Sequence, residues 1–194
     1  MQTEIDFSPA VLAPVAVPAR RLVILGCSAT KTDAPGYVPA IERYNGPLWQ
    51  TLRTVDPDGK RAARAFLSAE YGFGDADLTS IKDYNTRMTP ERARHMIAGG
   101  LDTRWPRPPN RKSADSWGMH AACTVDGMSR HRKAPFDDVA LVGGELYLEV
   151  MRAFLALFVE AGHVKADARV TEINAPIGYM RQQLRAWLEG GVSC

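Results

Sequence analysis

The chain has 194 residues, 45% hydrophobic and 24% charged, enough for one ordinary core, too few for two comfortable domains, and neither disordered nor fibrous in composition. A formal net charge of +2 gives no whole-molecule field for strong non-specific attachment to nucleic acid, so any basic patch has to be local. Three irregularly spaced cysteines, Cys27, Cys123 and Cys194, form no disulfide framework and fit a reduced compartment, and no run approaches the roughly 20 apolar residues of a membrane span.

Ala10 to Ala19 is apolar but broken by Pro14 and Pro18, and basic residues follow it rather than precede it, the reverse of a secretory signal. Residues 1–20 therefore read as an extended arm on a cytoplasmic protein, and 21–194 as a single α/β domain. Arg21 to Cys27 is an aliphatic, β-branched run of the kind found in strands buried on both faces. After a loop over Ser28 to Val38, apolar residues recur at three- and four-residue spacing. They predict a helix over Pro39 to Val55, divided at Gly46-Pro47 into a short turn and a longer helix.

Asp56 to Gly59 is turn chemistry, and Ala63 to Ser68 reads as a second strand running into Glu70-Tyr71-Gly72-Phe73-Gly74. Thr89, as N-cap, and Pro90, at the first helical position, open a helix that stops at Gly99-Gly100. Residues 102–133 show neither helical nor strand period and carry seven basic residues against three acidic ones, the pattern of an irregular basic insertion: a lid, a nucleic-acid clamp or a surface loop. Asp138 to Gly143 is the next strand, Glu145 to Ala161 an apolar helix, Arg169 to Ile173 a last short strand, and Pro176 to Leu188 an amphipathic helix. Alternating strands and helices predict a three-layer α/β fold with a mostly parallel central sheet flanked by helices.

In such a sheet, ligands bind beyond the carboxyl ends of the strands, and the polar clusters fall there. Gly26 to Thr32, with Cys27, Ser28 and Lys31, suits a phosphate or carboxylate. It is one residue short of a Walker A loop and lacks the second glycine, so a P-loop is rejected; the alternative is an ordinary strand-to-helix turn. Cys27, read as lying near a helix N-terminus, is either a nucleophile or a packed thiol, with packing favoured. After the second strand, Ser68 to Gly72 offers Glu70 as general base or hydroxyl ligand and Tyr71 as a stacking ring; alternatively Glu70 caps a helix and Tyr71 fills the core edge. Lys82 to Met88 is a polar and aromatic turn with Asp83, Tyr84, Asn85 and Arg87. Gly143, Gly144 and Tyr147 stand at the same sheet edge, for ligand contact or close packing. His120 and Cys123 have ligand-like separation but do not by themselves make a zinc site. Neither a metal nor a cofactor is expected.

The ordered series Cys27-Ser28-Ala29-Thr30-Lys31, Tyr44 to Trp49, Ser68-Ala69-Glu70-Tyr71-Gly72, Tyr84 to Met88, Gly143 to Tyr147 and Ile177 to Met180 resembles a bacterial and phage domain family of unknown function. That family's pattern is Cys-Ser-x-x-Lys, Tyr-x-x-Pro-Leu, Ser-Ala-x-Tyr-Gly and Tyr-Asp-x-x-Met. The resemblance covers about residues 21 to 189 and implies a uracil-DNA-glycosylase-like fold. It further implies a nucleotide, nucleobase or DNA partner and an enzyme acting on an N-glycosidic bond, or else a non-catalytic binding module. Asn85 stands where the pattern has Asp, which shifts any catalytic carboxylate to Glu70 or Asp83. In the binding set this implies, Ser28 and Lys31 hold phosphate and Tyr71 or Tyr84 stacks on the base, with Cys27, Tyr44, Ser68, Gly72, Arg87, Gly143 and Tyr147 around them. Self-association is left open.

Overall fold

The computed structural model describes residues 20–106, 118–132 and 135–190; the N-terminal arm lies outside these except for Arg20. Strand β1 (Arg21–Gly26) is followed by a loop to the short β2 (Val38–Pro39), then α1 (Ala40–Arg43), α2 (Pro47–Val55), β3 (Ala63–Ser68) and β4 (Gly72–Asp75). Next come β5 (Ser80–Ile81), α3 (Pro90–Gly99), β6 (Arg104–Trp105), β7 (Met119–His120) and α4 (Ala121–His131). The chain closes with β8 (Phe136–Val142), α5 (Glu145–Glu160), β9 (Val164–Ile173) and α6 (Ile177–Leu188). The central sheet has five strands in the order β4-β3-β1-β8-β9, all parallel except β4, which runs antiparallel to β3.

Alternation along the strands assigns two cores. Leu22 and Ile24 of β1, with Ala65 and Leu67 of β3, face helices α3, α4 and α5, where Met96, Val125 and Phe154 are buried. Val23 and Leu25, with Phe66 of β3 and Val142 of β8, face α2 and α6, where Trp49, Leu184 and Trp187 are buried. Burying a large apolar side chain stabilises by about 1.5–3 kcal/mol, so both sides of β1 hold helices against the sheet. The chain passes from β1 to β3 over the α2 face and from β8 to β9 over the α5 face. Its connections therefore diverge between β1 and β8, the place in such sheets where a crevice opens at the carboxyl ends.

Four expectations change. The segment 102–133 is not without regular structure: among its described residues, β6 and β7 pair and α4 packs Val125 and Met128 into the core. Two glycines hid β4, yet Gly74 is needed there, because a Cβ would stand 2.3 Å from the Phe66 ring. Val38–Pro39, where the sequence predicts the end of the loop and the start of the helix, form β2, and the helix starts one residue later at Ala40. Finally, β9 begins at Val164, but only Arg169 to Ile173 pairs in continuous register with β8, and that is the part the sequence showed.

At the other end of the sheet, the buried Asp138 carboxylate receives Arg21 Nε at 2.9 Å, Arg169 Nη2 at 2.6 Å and Trp187 Nε1 at 3.1 Å. The Arg21 guanidinium lies 3.8 Å from the centre of the Trp187 ring. Burial would raise the Asp138 carboxyl, but the bonds from Arg169, Trp187 and Arg21 outweigh it and hold the group below the usual range.

Candidate functional site

A cleft of about 390 Å³ opens at the crevice between β1 and β8. Three chain segments build it: Cys27, Ser28 and Lys31 after β1, Tyr84 to Arg87 after β5, and Tyr147 in the first turn of α5. The thiol of Cys27 lies 3.0 Å from the Tyr147 hydroxyl. Glycines allow this approach: a Cβ on Gly143 would come within 3.2 Å of Tyr147 Cβ, and one on Gly26 within 3.4 Å of its ring.

Lys31 is the built-in cation. Its side chain is 10% exposed; Nζ donates to the Tyr84 carbonyl at 2.7 Å, stands 3.8 Å from Asp83 Oδ1 and lies 4.2 Å from the centre of the Tyr84 ring. An ammonium has three N–H groups, so the bond to Tyr84 leaves donors for a ligand. The Lys31 loop is held from below by Arg43, a fully buried guanidinium that donates to the carbonyls of Thr32, Ala34 and Gly36. Arg87 adds an exposed second cation. Neither α2 nor α5 has a side-chain cap at its start; an added Cβ on Gly46, the N-cap of α2, would meet Ser28 Oγ, and Tyr147 belongs to the first turn of α5. The positive ends of these helices favour an anion nearby, although Pro47 at the first position of α2 supplies no amide N–H.

Behind the cleft, three buried hydroxyls converge. Ser68 Oγ donates to Tyr84 Oη at 2.8 Å and accepts the amides of Glu70 and Tyr71, each at 3.0 Å, while Tyr44 Oη is 2.7 Å from Tyr84 Oη. Burial pushes the phenols of Tyr44, Tyr84 and Tyr147 well above their ordinary value, and nearby Cys27 adds to the effect. All three stay protonated at neutral pH.

The sequence-derived residues thus divide. Cys27, Ser28, Lys31, Tyr84, Asn85, Arg87 and Tyr147 share one cleft, and Tyr44 and Ser68 support it from the interior. Tyr71 is half-buried core edge, edge-on to Tyr84, and accepts Lys82 N at 3.3 Å. Gly72 opens β4 at φ +65°, where an added Cβ would stand 2.8 Å from Trp105. Glu70 caps no helix: it sits in the β3–β4 turn, where its carboxylate accepts the Thr86 hydroxyl at 2.6 Å. The side chain of Asp83 is 73% exposed at the rim. Cys27 meets the first turn of α5 through Tyr147, and its neighbours Gly26 and Ser28 lie against Trp49 and Gly46 at the start of α2.

Thr86 was missed; it lines the cleft inside the same polar turn as Asn85, so the turn was visible but not which of its side chains face inward. Among the described residues, no group of three or more His, Cys, Asp and Glu side chains is placed to hold a metal ion, and no helix is long and apolar enough to cross a membrane. Compared with protein-family models, curated proteins and solved structures, the chain matches none of them.

Proposed function

We propose that the cleft binds a nucleotide, or a base extruded from nucleic acid, and that the protein cleaves or exchanges its N-glycosidic bond. The observation that carries this reading is that two cations, Lys31 and Arg87, line one cleft against which the first turn of α5 places Tyr147, a combination suited to a phosphate. The cleft's volume lies within the range of about 300–1,000 Å³ for small-ligand sites. One face of Tyr84 is taken by Lys31, so a base would lie against the Cys27 and Tyr147 side of the cleft. No carboxylate lines this cleft among the described residues. Charge building on the sugar would be met by Glu70, one hydrogen bond behind Thr86, or by Asp83 at the rim, either of which could also activate water.

That same absence favours the second reading, a module that binds a nucleotide without chemistry. Incubation with nucleosides, nucleoside monophosphates and modified oligonucleotides, followed by chromatography for free base, separates the two. The enzyme releases base, and Glu70→Gln or Asp83→Asn slows release by about 10²–10⁴-fold. Tight binding with no released base would establish the module instead, and binding of none of these compounds would remove both.

A further inference from the structure

A second cleft, of about 400 Å³, lies beside the first and is walled by Glu70, Thr89, Glu91, Arg92, His95 and Trp105. One hydrogen bond links the two: Thr86 lines the first cleft, Glu70 lines the second, and Thr86 Oγ1 donates to Glu70 Oε2 at 2.6 Å. A ligand that outgrows the first cleft past Thr86 therefore enters the second.

The second cleft is built on the start of α3. Thr89 Oγ1 accepts Arg92 N at 3.2 Å and fixes the first turn, which places Arg92 and His95, three positions apart, on one helix face. Arg92 Nη1 donates to the Ala69 carbonyl at 2.8 Å. A guanidinium has five N–H donors, so this bond orients the group and leaves donors over. The same cleft is lined by Glu70, from the β3–β4 turn, and by Glu91, from the first turn of α3, which as carboxylates only accept. A bare phosphate would meet two like charges there, whereas a phosphodiester next to a sugar hydroxyl matches both halves of the wall.

Resting on the reading of the first cleft as a nucleotide site, we propose that the second cleft holds the neighbouring nucleotide of a single-stranded RNA. Its phosphodiester lies against Arg92 and His95, and its 2′-hydroxyl is accepted by Glu91 or by the Glu70 oxygen that Thr86 leaves free. The ligand is then a ribonucleotide strand rather than a free mononucleotide, and the 2′-hydroxyl is the group that tells it from DNA.

Titration calorimetry with the four ribonucleoside 5′-monophosphates, a mixed-sequence RNA tetranucleotide and its 2′-deoxy counterpart tests this. The RNA is expected to bind about tenfold more tightly than the best mononucleotide, with a log–log salt slope steeper by about 0.7 for each phosphate engaged. The deoxy strand loses most of that advantage. His95→Ala and Arg92→Ala abolish the advantage of the RNA while mononucleotide affinity persists. Because Arg92 also holds Ala69, the exposed His95 variant decides if Arg92→Ala does not fold. A mononucleotide that binds as tightly as the RNA, an advantage that survives both substitutions, or equal binding of the deoxy strand overturns the inference and leaves the first cleft's reading standing; binding of none of these probes removes both.

Discussion

Removing the Ser68 hydroxyl would leave the amides of Glu70 and Tyr71 and the phenol of Tyr84 without the oxygen that joins them. Ser68 is fully buried, so water cannot easily take its place, and Ser68→Ala is expected to cost about 1–3 kcal/mol in urea denaturation. A loss under about 0.5 kcal/mol would mean that these groups find other partners. The effect reaches the cleft, because the Tyr84 ring and carbonyl together seat Lys31. At this scale, Lys31 and Tyr147 were legible as polar residues at strand ends. Arg43 was not: an arginine in a short helix gives no local sign that it will be buried beneath a loop, with three carbonyls as its partners.

Elements that depend on local chemistry formed where their residues indicated. Thr89 and Pro90 start α3, Gly46-Pro47 starts α2, and the aliphatic runs make β1, β3 and β8. Elements that depend on a distant partner did not announce themselves: β4 exists because it pairs with β3, and α4 because Val125 and Met128 find the sheet. The clasp at Asp138 is of the second kind, joining β1, β8, β9 and α6 through one carboxylate. Asp138→Ala leaves Arg21 and the Trp187 N–H without it, at an expected cost of about 3–5 kcal/mol. Hydrogen exchange should show the largest loss of protection in α6, and a protein whose α6 protection is unchanged would contradict this role.

For the whole molecule, three phenols behind and within the cleft, Tyr44 buried and Tyr84 and Tyr147 half-buried, weaken the fold at alkaline pH. Their pKa values are raised in the folded state, so the native protein keeps protons that the unfolded chain releases near pH 10, the ordinary tyrosine value of about 10. This stability contribution is complete below about pH 10. It is lost as the pH rises further, at up to about 1.4 kcal/mol per pH unit for each group. Tyrosinate absorbance should therefore show part of the signal of the six tyrosines appearing only with unfolding. A single smooth titration of all six near pH 10 in folded protein would refute it.

By itself the sequence determined the alternation of strands and helices, the buried central strands and the helix starts, because burial periodicity, caps and turn residues act over a few neighbouring positions. It also placed the polar residues at the strand ends, since a run that is buried on both faces must become polar where it leaves the sheet. Only the tertiary structure decided that Cys27 meets Tyr147 across 120 residues, that Lys31 lies on Tyr84 across 53, and that Glu70 turns away into a second cleft. Those contacts follow from strand order and from which helix covers which face, and both are settled by packing between segments that carry no local record of one another.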